Sequence, residues 1–274
     1  MFFNKKELQY HAKPNAPDPV FAKQLQEVIG GQYGEMTVAM QYLFQGWNTR
    51  GHEKYKDLLM DTGTEELGHI EMLATMVARL LEGAPVYEQE KAASDPMVGA
   101  ILGGMDPQHA IVSGLGATAK DSNGVPWNGA YIIASGNLLA DFRANVNAES
   151  QGRLQVARLY SLTDDKGVKD MLSFLLARDT MHQNQWLAAI KDMEAKEGVI
   201  VPSTVPPEWE AKEFSHTLYN NSEGDDSSML PWMKGTAPDG NPFKYEQAKA
   251  FSEKPVLKPG PPESHDTLPE DKLK

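Results

Sequence analysis

The sequence predicts an all-α protein built around a four-helix bundle. Four segments carry apolar residues at helical spacings of three and four. Acidic and imidazole side chains recur in the middle of those apolar faces, in the order carboxylate, Glu-x-x-His, carboxylate, Asp-x-x-His. The separation of Glu35 from His69 nearly equals that of Glu149 from His182. Each half of the bundle is therefore predicted to be a helical hairpin.

The elements follow in order along the chain. Residues 1–19 predict an N-terminal arm, because they contain three prolines. The bundle is predicted over residues 20–198. Helices are expected at about 20–47 and 53–82, a glycine-rich crossover at 83–125, and two further helices from near Pro126 to Leu162 and from Asp165 to Lys196. The long crossover is required by topology, because it joins two hairpins.

Residues 199–274 differ in composition from the bundle. They contain 11 of the 18 prolines and few periodic apolar residues, so they predict an extended C-terminal tail without a core of its own. Large apolar residues such as Trp209 and Trp232 indicate that this tail lies over folded protein. The surface could belong to its own bundle or to a neighbouring subunit.

Composition excludes several classes of function. The 274 residues carry a formal net charge of −12 without a basic stripe, which argues against a nucleic-acid partner. The absence of cysteine excludes disulfides and thiolate metal sites. No apolar run is long enough to predict a membrane span or a signal peptide, and the expected location is the cytoplasm.

The polar residues on the buried faces predict a dinuclear metal site. Burying unpaired carboxylates in four helices at matching depth is costly, and two divalent cations would offset that cost. The predicted ligands, in chain order, are Glu35, Glu66, His69, Glu149 and His182. Oxygen donors with a few imidazoles favour Mn or Fe, and the spacing alone does not separate these two metals.

The same residues suggest how the site works. Glu35 and His69 would hold one ion, Glu149 and His182 the other, and Glu66 would bridge the two. Asp179 is one methylene shorter than a glutamate, so it is predicted to lie just outside the metals as a proton acceptor. Peroxide and dioxygen are the natural substrate classes for two redox metals held together.

Two further predictions concern polar residues near the site. Tyr42 lies two helical turns from Glu35 on the same face, where it would bond a metal-bound oxygen or Glu35, or be a core tyrosine bonded elsewhere. Acids that lie off the apolar stripe, including Glu65 and Asp192, are predicted to be solvated.

The chain resembles the non-haem manganese catalases over roughly residues 1–235. The resemblance rests on these segments: Gln9-Tyr10, Gly34-Glu35, Asp61 with residues 64–69 (Thr-Glu-Glu-Leu-Gly-His), residues 123–127 (Asn-Gly-Val-Pro-Trp), residues 162–165 (Leu-Thr-Asp-Asp) and His182-Gln183. It implies a ferritin-like bundle with two Mn ions per subunit that disproportionates hydrogen peroxide to water and dioxygen. The family's ligands fall on the five residues named above, and its proton-handling glutamate falls on Asp179.

The resemblance also implies an assembly and a second metal. The family is similar in forming hexamers, and some members bind calcium between subunits. The positions that match the calcium ligands of those members are Asp57, Asp61, Asn220, Ser222 and Gly224. Asp57 and Asp61 lie one helical turn apart, and ordinary surface acids at that spacing are the alternative.

One position departs from the family pattern. Some members carry an arginine directly before the fourth ligand, where this chain has Ala148, and Arg143 or Arg153 could approach the site instead. Two other functions stay open at this point. They are a diiron oxidase or ferroxidase, and a structural relative of low activity such as those in spore coats.

Overall fold

The computed structural model describes residues 5–83, 111–201, 206–221, 223–224 and 226–258. The chain divides into two compact units, Met1–Thr204 and Val205–Lys274. The long helices of the first unit are α1 (Pro19–Gly30), α2 (Glu35–Asn48), α3 (Glu53–Leu80), α4 (Leu138–Ser161) and α5 (Lys166–Glu197). The second unit contains β1 (Thr217–Asn220), α6 (Pro231–Lys234) and β2 (Lys244–Gln247).

The helices of the first unit form the two predicted hairpins. The most extensive contacts are those of α2 with α3 and of α4 with α5. The ferritin-like helical bundle predicted from the sequence is therefore confirmed. None of the helices in the described part of the chain is long and apolar enough to cross a membrane.

Two apolar clusters fill the bundle, one toward each end. The first cluster joins α1 to the C-terminal half of α3 and the N-terminal half of α5, and it is mostly Leu, Met and Val. The second joins α2 to the N-terminal halves of α3 and α4 and to the C-terminal half of α5, and it contains Tyr42, Tyr55, Phe142 and Trp186. The predicted metal ligands lie between these clusters along the helices, in the middle of a dry interior.

The prediction of one helix over residues 20–47 is wrong, because the segment is broken into α1 and α2. Gly31 has an extended backbone after α1, and Gly34 has one before α2. A Cβ on Gly30 would lie 2.4 Å from the carbonyl oxygen of Lys120, so the crossover chain passes against this glycine. The break places Glu35 in the first turn of α2.

The third bundle helix starts at Leu138 rather than near Pro126. Asn137 caps it, because its side chain accepts a hydrogen bond from the backbone N–H of Ala140. The preceding residues instead lie along α2, where the Trp127 indole N–H donates to the Thr37 hydroxyl at 3.0 Å. Residues 84–110 of the crossover lie outside the described residues.

The N-terminal arm contacts the bundle through its backbone. The Arg79 guanidinium donates to the carbonyl of Ala12 at 2.6 Å, and the Asp165 carboxylate accepts from the N–H of Asn15 at 2.7 Å. Asp165 also caps α5 by accepting from the N–H of Val168. The arm is thereby held against two bundle helices.

The second unit contains a small parallel sheet that the sequence analysis did not anticipate. β1 pairs with β2 with Thr217 opposite Lys244. Phe251 packs edge-on against both Phe214 and Tyr219, with ring centroids 5.7 and 5.8 Å apart. Predictions for the last 16 residues fall outside the described part of the chain.

The close approach at Gly30 generates a test of the helix break. We expect Gly30→Ala to lower the free energy of unfolding by about 1–3 kcal/mol, since the added methyl group would force the Lys120 backbone away. Thermal unfolding followed by circular dichroism measures the change. Gly129→Ala is the matched control, because nothing lies within 4 Å of its Cβ position. Equal stability of the two variants would contradict the packing described here.

Candidate metal centre

Four helices each place predicted ligands at the centre of the bundle. Glu66 and His69 are three residues apart on α3, so both face the interior. Glu35 comes from α2, Glu149 from α4 and His182 from α5, and all five side chains are buried.

The ligand atoms fall into two groups that share one residue. Glu35, Glu66 and His69 form one group, and Glu66, Glu149 and His182 form the other. Within each group the donor atoms lie within 4.8 Å of one another. Glu66 Oε2 lies 2.6 Å from His69 Nδ1, and Glu66 Oε1 lies 2.7 Å from His182 Nδ1. Glu66 therefore lies between the imidazoles of the two hairpins, where a bridging carboxylate would be.

The central donor atoms lack hydrogen bonds from the described residues. These buried atoms are both carboxylate oxygens of Glu66, both ring nitrogens of His69 and Nδ1 of His182. Buried polar atoms almost always have a partner, and metal coordination can provide one. The arrangement fits a pair of cations, because the unsatisfied oxygen and nitrogen atoms converge from both hairpins.

Electrostatics at the centre favour cation binding. Burial and the charge of Glu66 raise the pKa of Glu35 to about 8. Burial and the same charge also raise the pKa of Glu149 well above its usual value. Burial lowers the pKa of His182, but the charge of Glu66 and contacts with Glu65 outweigh it and raise that pKa to about 10. Several carboxylates cannot all be ionised here without added positive charge.

Glu65 was predicted to be solvated, and that prediction is wrong. Its Oε2 lies 3.1 Å from Nε2 of His182, and its Oε1 lies 3.7 Å from Nε2 of His69. Burial raises the pKa of Glu65, but its contacts with both imidazoles and Arg178 outweigh this and lower it. Glu65 is thus at hydrogen-bond distance from the outer nitrogen of His182 and close to that of His69 without a hydrogen bond. Metal-bound histidines usually have a carboxylate or carbonyl in this position.

Two neighbours hold Glu65 in place. The Arg178 guanidinium donates to both of its oxygens, at 2.6 and 3.1 Å, and the Gln9 amide donates to Oε1 at 2.8 Å. Gln9 belongs to the N-terminal arm, so the arm supports the centre. A sequence signal existed, because Glu65 is adjacent to a ligand, but its position off the apolar stripe concealed its role.

Tyr42 bonds to Glu149 rather than to Glu35. Its hydroxyl donates to Oε1 of Glu149 at 2.5 Å, and the Trp186 indole N–H approaches the same oxygen at 3.5 Å. Of the alternatives that the sequence left open, the bond to Glu35 is not formed, and the hydroxyl is bonded elsewhere. The tyrosine instead connects α2 of one hairpin to a predicted ligand of the other.

Asp179 is buried on α5 but belongs to neither group of donor atoms. Burial and the charges of Glu35 and Glu66 raise the pKa of this carboxyl well above its usual value. Asp179 is thus a buried proton-holding group near the centre, and its catalytic role stays a prediction.

The arginines proposed to approach the site have other partners. Arg143 pairs with Glu194 and donates to the carbonyl of Ile200, while Arg153 donates to the Thr180 hydroxyl. Ala148 is buried in the second apolar cluster. Arg178 is the described arginine that supports the centre, because it bonds Glu65, which lies beside both imidazoles. The sequence did not point to this residue.

The predicted calcium residues fall in both units and stay a prediction. Asp57 and Asp61 are exposed on α3. In the second unit, the Asn220 side chain donates to the carbonyl of Gly224 at 2.8 Å. Ser222 lies outside the described residues.

Comparison with known proteins identifies the family. The model of the family described as manganese containing catalase matches residues 1–274. The chain belongs to the manganese catalase family. It is 70% identical over 270 residues to a manganese catalase of Bacillus subtilis, with 98% of this chain and 99% of the relative covered. It is 50% identical over 266 residues to a manganese catalase of Lactiplantibacillus plantarum, covering 97% and 98% of the two chains.

A solved structure of this family has the same fold. The manganese catalase KatB from Anabaena PCC7120 superposes with a TM-score of 0.70 at 26% identity, covering 89% of this chain and 98% of that one. The resemblance predicted from the sequence motifs is confirmed, and manganese is the metal that the family implies.

The contacts of Glu65 generate a prediction about metal affinity. We expect Glu65→Gln to weaken manganese binding by about 10- to 100-fold, because both imidazoles would lose a charged partner. Equilibrium dialysis with metal analysis measures the affinity. The control is Glu71→Gln, which changes an exposed acid on the same helix. An unchanged manganese affinity in Glu65→Gln would contradict the support that Glu65 is said to give to the metal-binding imidazoles.

The raised pKa values predict the direction of the pH dependence. Manganese must displace protons from Glu35, with a pKa of about 8, and from His182, with a pKa of about 10. Both groups are largely protonated below these values, so the apparent affinity should rise with pH between 6 and 8, by about tenfold per unit for each displaced proton. Calorimetric titration in buffers of different ionisation enthalpy measures the affinity and the released protons. A flat profile would contradict the competition.

Proposed function

We propose that the chain disproportionates hydrogen peroxide to water and dioxygen at a pair of manganese ions. The observation that carries this proposal is the pair of donor groups that share Glu66 inside the bundle. Membership of the manganese catalase family supports the metal and the substrate. None of the described residues gives specific support to a diiron oxidase or a structural protein.

The proposed roles follow the two groups. Glu35 and His69 bind one ion, Glu149 and His182 bind the other, and Glu66 bridges both. A set of three carboxylates and two imidazoles suits manganese better than copper or structural zinc. Glu65 orients the two imidazoles through their outer nitrogens.

When bound, the manganese pair supplies a reversible two-electron oxidation and reduction of peroxide. The residues around it supply binding and proton movement. One peroxide releases two protons and two electrons as it becomes dioxygen, and a second peroxide takes up both to become two water molecules. Asp179 holds a transferred proton between these halves, because its burial and the neighbouring acids favour its protonated form.

Tyr42 has a positioning role in this proposal. Its hydroxyl donates to Glu149 from the opposite hairpin, which fixes the orientation of that carboxylate. Its ring is fully buried with Trp186 and Phe142, so this side of the centre is closed to water. Exclusion of water strengthens the electrostatic interactions inside the site.

The assembly and the second metal are finer proposals. We infer a homohexamer in which the C-terminal unit contacts a neighbouring subunit, since Trp209 and Trp232 are more than half exposed. Calcium at Asp57, Asp61, Asn220, Ser222 and Gly224 belongs to the same proposal. Light scattering of the full chain, with and without a calcium chelator, tests both. The predicted cytoplasmic location stays a prediction.

Paired substitutions test the assignment of roles. We expect Glu66→Ala to lose both manganese ions and oxygen evolution. Asp179→Ala should retain the metal and lower kcat by about a hundredfold or more, since general acid–base groups contribute that much. Metal analysis and an oxygen electrode, applied to the same samples, measure both properties. Loss of manganese from Asp179→Ala would make Asp179 a ligand and overturn the assignment.

A further inference from the structure

A continuous line of aromatic rings runs from the proposed metal centre to Tyr55, whose hydroxyl bonds the exposed Asp192. Tyr42 and Trp186 both contact Glu149, and their ring centroids are 4.8 Å apart. Phe142 stacks on Trp186 at 5.5 Å, and Tyr55 meets Phe142 edge-on at 5.6 Å. No gap between neighbouring centroids in this line exceeds 5.6 Å, and the four rings come from four different helices.

Each end of the line is a tyrosine whose hydroxyl donates to a carboxylate. Tyr42 donates to Glu149, and Tyr55 donates to Asp192 on α5. The Asp192 side chain is 52% exposed and pairs with Lys54, which is 63% exposed. A carboxylate bonded to a phenol can accept its proton when the ring loses an electron, and at Asp192 that proton reaches solvent.

Simple packing does not explain the tyrosine at position 55. Its ring is only 3% exposed, so phenylalanine would fill the same space, and what the tyrosine adds is the hydrogen bond from its hydroxyl to Asp192. Among the described residues, the buried part of the other apolar cluster is aliphatic except for Phe21, and the partly buried Tyr10, Tyr160 and Phe174 pack against it. The buried tyrosine and tryptophan rings of the described residues, Tyr42, Tyr55 and Trp186, all belong to the cluster on one side of the centre.

We propose that this line of rings conducts single electrons from Tyr55, beside the exposed Asp192, to the metal centre, and that the protein thereby oxidises small phenols with peroxide. The inference rests on the proposed function, because the centre oxidised by peroxide is the electron acceptor. It adds a one-electron peroxidase activity whose donor never enters the buried site.

The reaction is balanced in electrons and protons. Trp186 gives one electron to the oxidised centre. Tyr55 then reduces Trp186 through the packed ring of Phe142, and the phenol proton of Tyr55 passes to Asp192. An external phenol then returns one electron and one proton to Tyr55 and leaves as a phenoxyl radical. Two such transfers release two protons to solvent through Asp192 and match one peroxide, which takes up two electrons from the centre and two protons from solvent to become two water molecules.

The test uses the manganese-loaded full chain, peroxide and guaiacol as the phenol. We expect Tyr55→Phe to reduce guaiacol oxidation by about tenfold and to leave oxygen evolution within about twofold of wild type. Freeze-quench electron paramagnetic resonance should show a tyrosyl radical that is missing from Tyr55→Phe. Tyr160→Phe is the matched control, because Tyr160 packs against the other apolar cluster, and it should change neither signal.

A second variant keeps the ring and removes the proton acceptor. Asp192→Asn should reduce both the radical yield and guaiacol oxidation, and it carries the test if Tyr55→Phe does not fold. Wild-type oxygen evolution without a radical at Tyr55, or guaiacol oxidation that survives both variants, overturns this inference alone. Absence of oxygen evolution from manganese-loaded wild type overturns the proposed function and this inference with it.

Discussion

The structure depends on the placement of one carboxylate, Glu66, between two imidazoles in the dry centre of the bundle. Its two oxygens lie 2.6 and 2.7 Å from ring nitrogens that belong to different hairpins. The surrounding acids repel one another, and burial raises the pKa values of Glu35, Glu149 and Asp179. A cation pair resolves this conflict, so metal binding and hairpin association stabilise the same arrangement.

The supports around Glu66 come from parts of the chain that are distant in sequence. Glu65 contacts both imidazoles from outside, and it is held by Arg178 of α5 and Gln9 of the N-terminal arm. Tyr42 ties Glu149 to α2. The arm and both hairpins therefore position the centre together, and a change at Gln9 would act on metal binding through Glu65.

Periodicity in the sequence predicted which faces of the helices are buried. It did not predict features that depend on contacts between segments distant in the chain. Helical spacing placed the five predicted ligands and Asp179 on buried faces, because a helix repeats its face every three to four residues. The break before Glu35, between Gly31 and Gly34, was missed because the apolar periodicity continues across it. The role of Glu65 was missed because its partners lie on other elements. The parallel pairing of β1 and β2 joins two short segments, for which periodicity gives little signal.

The most direct test of the central claim is a crystal structure of the manganese-loaded chain with anomalous data collected at the manganese absorption edge. We expect two anomalous peaks in each subunit, both within coordination distance of Glu66, with Glu35 and His69 at one and Glu149 and His182 at the other. A single peak, or peaks that lie away from Glu66, would contradict the account.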